Sequence, residues 1–183
     1  MAVANCLTAG ITQDCSTACC GGGVNRIWLA KLDDIDTVTR GTADEVTGIT
    51  MVAGPPAGVF YEIVPLEFTA QFLQSGTLEN NAFSNDITLS FTIACPDDVA
   101  RQRVQEIVNC CCGMGLVVEL ISGVKWCVIA KTDAELDLKF GKVKVRTFEA
   151  DSGTALSDPN QFVVTVGAFS NKLAVEFQPT VPV

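Results

Sequence analysis

Not one histidine occurs among the 183 residues. That removes the commonest general base and the usual partner of a Ser or Cys nucleophile. Basic residues are scarce as well, with 12 Lys and Arg against 21 Asp and Glu and a net charge of −9. Gripping phosphates needs clustered cations. The densest group, Lys139, Lys142, Lys144 and Arg146, has the alternate spacing of one solvated strand face, so a nucleic-acid binder is disfavoured. No apolar run approaches the roughly 18 residues that cross a bilayer. Met1 to Gly10 has neither a basic residue nor a sustained apolar stretch, so neither a membrane span nor a secretory signal is expected.

Cysteine, by contrast, is abundant: Cys6, Cys15, Cys19, Cys20, Cys95, Cys110, Cys111, Cys112 and Cys127. There is no C-x-x-C pair to accompany the missing histidine, so the usual zinc patterns fail. Cys15, Cys19 and Cys20 with Cys110 to Cys112 are the one set from which a cysteine-ligated metal or redox centre could be built. The simpler reading is that most are small apolar residues, reduced in the cytoplasm. The acidic groups Asp33, Asp34, Asp36 and Asp133, Glu135, Asp137 sit beside turn signals, where carboxylates ordinarily solvate and cap. They lack the spacing of a calcium loop. No catalytic set, metal or cofactor is expected, and an enzyme is the last choice.

With 48% hydrophobic and 18% charged residues, the chain can bury a sizeable single core. Residues 1–23 are small and polar and end in Gly21-Gly22-Gly23, which reads as a flexible N-terminal arm. Residues 24–179 read as one β domain, with a tail at 180–183. Strands are expected at Ile27–Leu32 and Val46–Val52. A long extended stretch, Val59 to Leu73, is interrupted at Pro65. After a polar tip from Gln74 to Asn85, Ile87, Leu89, Phe91 and Ile93 alternate with Asp86, Thr88, Ser90 and Thr92. The two segments together read as a long hairpin with one dry and one wet face.

A helix is expected over 97–112. Pro96, Asp97 and Asp98 open it, Ala100, Val104, Ile107, Val108 and Cys111 form its apolar stripe, and Gly113 closes it. A hairpin follows at Leu116–Ala130, around Ser122-Gly123; Leu136–Phe140 alternates, Gly141 breaks or bulges it and Val143–Phe148 continues, and Gln161–Phe169 and Leu173–Phe177 complete the strands, joined by Ser170-Asn171. Phe68, Phe72, Phe83, Phe91 and Trp126 are expected in the core rather than around a ligand. About nine strands and one helix describe a β-sandwich or barrel. Its long hairpin and arm leave edges that copies of the same chain could pair.

This order of elements, over residues 26–178, resembles the tail-tube fold of phage tail-tube proteins and of contractile injection systems. The segments N-C-L-T-A-G-I-T-Q-D-C (Asn5 to Cys15) and G-G-V-N-R-I-W-L-A (Gly22 to Ala30) are similar to the start of structural proteins in some phages of Bacteroidetes hosts. The resemblance implies a non-enzymatic subunit of stacked, hexameric rings, assembled in the host cytoplasm into the virion tail. Its partners would be itself, other tail proteins and DNA that passes without specific binding. It places Glu62, Glu67, Glu79 and Asp86 on an acidic lumen wall. It makes Cys6, Cys15, Cys19, Cys20, Leu78 and Phe83 inter-subunit contacts. Another virion part, a capsid decoration or head–tail joining protein, shares the same composition.

Overall fold

The computed structural model describes residues 23–42, 45–54, 57–79, 82–94, 97–110, 112–130, 142–152 and 160–182. Within them the chain is mainly β with a single α-helix. In chain order the elements are β1 (Val24–Lys31), β2 (Ile35–Arg40), β3 (Val46–Met51), β4 (Tyr61–Ile63), β5 (Gln71–Glu79), β6 (Ala82–Ala94), α1 (Asp98–Val108), β7 (Met114–Leu120), β8 (Lys125–Val128), β9 (Lys144–Asp151), β10 (Gln161–Ser170) and β11 (Val175–Glu176). They form a five-stranded sheet in the order β11-β8-β7-β1-β4, a four-stranded sheet in the order β5-β6-β10-β9, and the two-stranded β2-β3 ribbon. Every pairing between strands is antiparallel.

One hydrophobic cluster joins the sheets. The five-stranded sheet contributes Ile27, Leu29, Leu116, Val118 and Val128, and the four-stranded sheet Ile87, Leu89, Phe91, Val164 and Val166. The alternation along β6 places Ile87, Leu89 and Phe91 in this core, because successive strand side chains face opposite ways. The ribbon packs closely: a Cβ on Gly115 of β7 would lie 2.6 Å from Ile35 Cδ1, so only glycine lets β2 approach there. Gly123 holds φ +84° in the tight β7–β8 turn, as its position between two strands required.

Several elements differ from the sequence expectation. The helix is shorter than 97–112. Asp97 stays outside it as the cap, its Oδ1 accepting from Ala100 N at 2.7 Å. At the other end Cys110 N donates to Ile107 O, a tightened last turn that ends the helix before the cysteine run. Val104 is its one buried residue and Val108 is exposed. The Val59–Leu73 stretch divides: Tyr61–Ile63 joins the five-stranded sheet, whereas Gln71–Glu79 joins the four-stranded one. Between them Phe68 adopts φ +61° and is 89% exposed, so it is not a core residue. Phe83 is 40% exposed, Phe72 and Trp126 are half-buried, and only Phe91 of that set is fully buried. The expected polar tip is itself mostly strand, because β5 and β6 pair from Gln71↔Ser90 out to Glu79↔Ala82. Near the C-terminus, Val181 is buried and Pro182 O accepts from Phe60 N, so this segment is packed rather than trailing. Residues 1–22 of the expected arm, Cys95, Cys111 and the segment 131–141 lie outside the described residues.

Replacing Phe91 by alanine empties the centre of the shared core and is expected to lower the unfolding free energy by about 3–5 kcal/mol. Urea denaturation followed by tryptophan fluorescence measures it.

Candidate assembly surfaces

The four-stranded sheet turns one face to the core and the other to solvent. Among the described residues, β5 and β9 each pair on one side only, leaving two rows of backbone donors and acceptors without a sheet partner. Strands β5, β6, β10 and β9 alternate in direction, so the two edges run antiparallel to each other. The face turned away from the core is hydroxylic. One row crosses all four strands as Gln71, Ser90, Thr165 and Thr147, with Thr165 Oγ1 3.3 Å from Ser90 Oγ. The next row carries Leu73, Thr88 and Gly167.

A bidentate ion pair marks this face. Arg146 donates through Nη1 to Asp86 Oδ2 at 2.9 Å and through Nη2 to Asp86 Oδ1, a bidentate fork, and reaches Thr88 Oγ1 at 3.1 Å. The guanidinium also lies 4.9 Å from the ring centre of Phe169, within range of a cation–π contact. Gly167 makes room for it, since a Cβ there would fall 2.4 Å from Arg146 Nε. The hydrogen bond from Arg146 holds the Asp86 carboxyl below its usual range, against a smaller opposing effect of burial.

The four acids expected on one wall do not share a face. Glu62 lies on β4 of the other sheet, 3.3 Å from Arg26. Glu67 sits in the turn after β4, and Glu79 ends β5. Asp86 is on the wet face but neutralised by Arg146. They separate because the stretch taken as one arm of the hairpin belongs to two sheets. Glu149 and Asp151 of β9 do share the wet face, opposite Val163 and Gln161; the alternation of Lys144–Asp151 carried that signal.

The β5–β6 hairpin projects. Strand β10 pairs with β6 only from Asn85 to Ala94, so Ala82–Ser84 have β5 alone as neighbour. Leu78 faces Phe83 across this ribbon, 71% and 40% exposed. Phe83 covers Gly76, where a Cβ would meet its ring at 2.6 Å. At the base of the ribbon, Asn85 Nδ2 donates to Lys172 O at 3.1 Å, and Gln74 Oε1 accepts from Ala174 N at 2.7 Å. Trp126, Leu173 and Val175 line an open concavity of about 580 Å³ beside Phe83.

A second concavity, about 210 Å³, lies between α1 and strands β1 and β4. Leu29, Tyr61, Ile63, Ile107 and Met114 line it, with Lys31 and Arg103 also contributing. Arg103 stands 6.0 Å from the Tyr61 ring centre and 2.9 Å from Glu106.

Of the cysteines assigned to contacts between subunits, Cys6, Cys15, Cys19 and Cys20 lie outside the described residues. Cys127 is buried, and desolvation pushes its thiol up to about 12; Cys112 is exposed. Among the described residues no group of three or more Cys, Asp or Glu is placed to hold a metal ion. Comparison with protein-family models, curated proteins and solved structures finds no significant match.

Two outcomes follow. Iodoacetamide at neutral pH should leave Cys127 unmodified in the folded protein and alkylate it after denaturation, as peptide mass spectrometry reads out. Because Asp86 titrates lower when folded, its pairing stabilises the fold above the usual carboxylate range, and that contribution is lost as pH falls through the depressed value. Arg146→Met should therefore destabilise the protein at neutral pH but not well below that range. Denaturation of both proteins at the two pH values tests the difference.

Proposed function

We propose that the chain is a self-assembling structural subunit of a phage tail tube, whose four-stranded sheet joins neighbouring copies into a ring that DNA passes through. One observation carries the reading: a four-stranded antiparallel sheet with both edges unpaired among the described residues. An even number of alternating strands lets β9 of one copy run antiparallel to β5 of the next. Rotation then repeats the arrangement without reversing a face. Such a contact satisfies exposed backbone groups by strand addition. A six-fold ring, as the resemblance implies, would close roughly 24 strands, well beyond the 16–18 that already leave an aqueous channel.

Chemistry of the wet face supports the same reading. Its cations are Lys144 and Arg146, and Arg146 is committed to Asp86. Gln, Ser and Thr side chains fill the row across the sheet, and Glu149 adds negative charge. A wall of this kind offers a phosphate backbone little to hold it, so a polyanion slides past.

Negative-stain microscopy of the purified protein should show rings or tubes; isolated monomers or trimers would favour a decoration or joining protein instead. Leu73→Lys with Thr77→Lys charges the β5 edge. It should raise the concentration needed for ring formation at least about tenfold, with an unchanged circular dichroism spectrum. Ring formation equal to the parent would remove β5 as the joint.

A further inference from the structure

The concavity of about 580 Å³ opens between the two large sheets, with Trp126 and Glu176 of one and Phe83 of the other among its walls. Strand pairing decides what faces it. Trp126 stands opposite Glu176 in the β8–β11 pairing. Val46 bridges Phe177 in parallel, which sets Glu45 beside Glu176. On the far wall, Phe83 and Asn85 are two apart on β6, so they share its core-facing side with Ile87 and Leu89. Phe83 lines the opening, and Asn85 lies one step further in, fully buried.

Two side-chain acceptors among the described residues are buried without a hydrogen-bond partner, Glu45 Oε2 and Asn85 Oδ1. Both belong to this place. The other half of the Asn85 amide is engaged, since Nδ2 donates at 3.1 Å to the carbonyl of Lys172, itself a wall residue. Buried polar groups without partners are few in folded proteins. Two that flank one concavity, both acceptors, call for a donor. Charge says which kind: among the described wall residues Glu45 and Glu176 outnumber Lys172. Half-buried Trp126 and partly exposed Phe83 add aromatic faces of the sort that attract a cation. The volume falls within the roughly 300–1,000 Å³ of small-molecule sites.

We propose that this concavity binds a small organic cation, an ammonium or guanidinium carried on a short aliphatic chain. Its charged head sits between Glu45 and Glu176 beside the Trp126 ring, and its N–H groups supply the donors that Glu45 Oε2 lacks. A second donor at the other end of the chain answers Asn85 Oδ1, so a ligand cationic at both ends fits better than a simple monoamine. Gly41 belongs to the same arrangement. The Glu45 carboxylate lies against it, and a Cβ there would overlap Oε1. The inference goes beyond the ring reading and does not rest on it.

Agmatine, with an ammonium at one end and a guanidinium at the other, is the probe, and 1,4-butanediol is the uncharged control with donors at both ends. Calorimetric titration of the full chain should give saturable agmatine binding with a Kd of about 1 mM or tighter. The melting temperature should rise with agmatine concentration, and butanediol should do neither. Glu45→Gln and Trp126→Leu should each weaken agmatine binding at least about tenfold, with an unchanged circular dichroism spectrum. Glu176→Gln changes an exposed side chain, so it tests the site even if Trp126→Leu does not fold; it should weaken binding at least about threefold. No saturable binding with agmatine at about 10 mM, equal binding of butanediol, or an affinity unchanged in both Glu45→Gln and Glu176→Gln would overturn the assignment. Ring formation is read separately by microscopy, so failure of this site leaves the assembly reading untouched.

Discussion

Backbone hydrogen bonds left open at a sheet edge are the constraint from which the rest of this molecule follows. A buried or flat edge must pair, be covered or be blunted, because an unpaired N–H or C=O loses free energy once water is excluded. The five-stranded sheet manages one margin with its C-terminal segment: Phe177 bridges to Val46, and Gln178 N donates to Val46 O. On its other margin α1 lies beside β4, sharing a groove with it. The four-stranded sheet shows no such cover over β5 among the described residues. Its nine-residue edge, Gln71–Glu79, has no proline or lysine and a single charged residue, so it lacks the usual devices against pairing. That contrast within one chain points to an edge kept for a partner.

Electrostatics on the wet face are consistent with that use. A sheet repeated around a ring would repeat every uncompensated charge as well, and like charges brought close repel. Asp86 and Arg146 cancel within the subunit, and Gly167 makes the space in which they meet. The pair is partly exposed, so its role in stability is modest. Its larger consequence is to leave Arg146 committed within the subunit rather than free on that face. Glu149 adds a negative charge near β9.

Much of this architecture was legible in the residues, and the failures have definite causes. The alternation of β6 and the Ser122-Gly123 turn were read correctly because each rests on local geometry: period two along a strand, and a positive φ that glycine supplies. Strand β2 was missed because its pairing shifts between Ile35 and Thr37. The irregularity puts Ile35 and Val38 inward at a spacing of three, which breaks the period that reveals a strand. Pro65 marked a break in the Val59–Leu73 stretch, but a proline alone does not say that the chain changes sheets after Ile63. Phe68 is the clearest sign of that change, held in a left-handed conformation that costs a bulky residue energy. An apolar residue was assigned to the core by type, whereas its backbone turns it outward. The four acids were grouped for the same reason: register puts Glu79 and Asp86 on one face of the β5–β6 pair, whereas Glu62 belongs to the other sheet and Glu67 to the turn between.

Edge pairing, as proposed, would be directional and strong in sum, because several backbone bonds would form together along β5 and β9. An antiparallel sheet of four strands offers edges of opposite direction, so one copy could follow another by rotation alone, and the contact would close when the rotation per copy divides a circle.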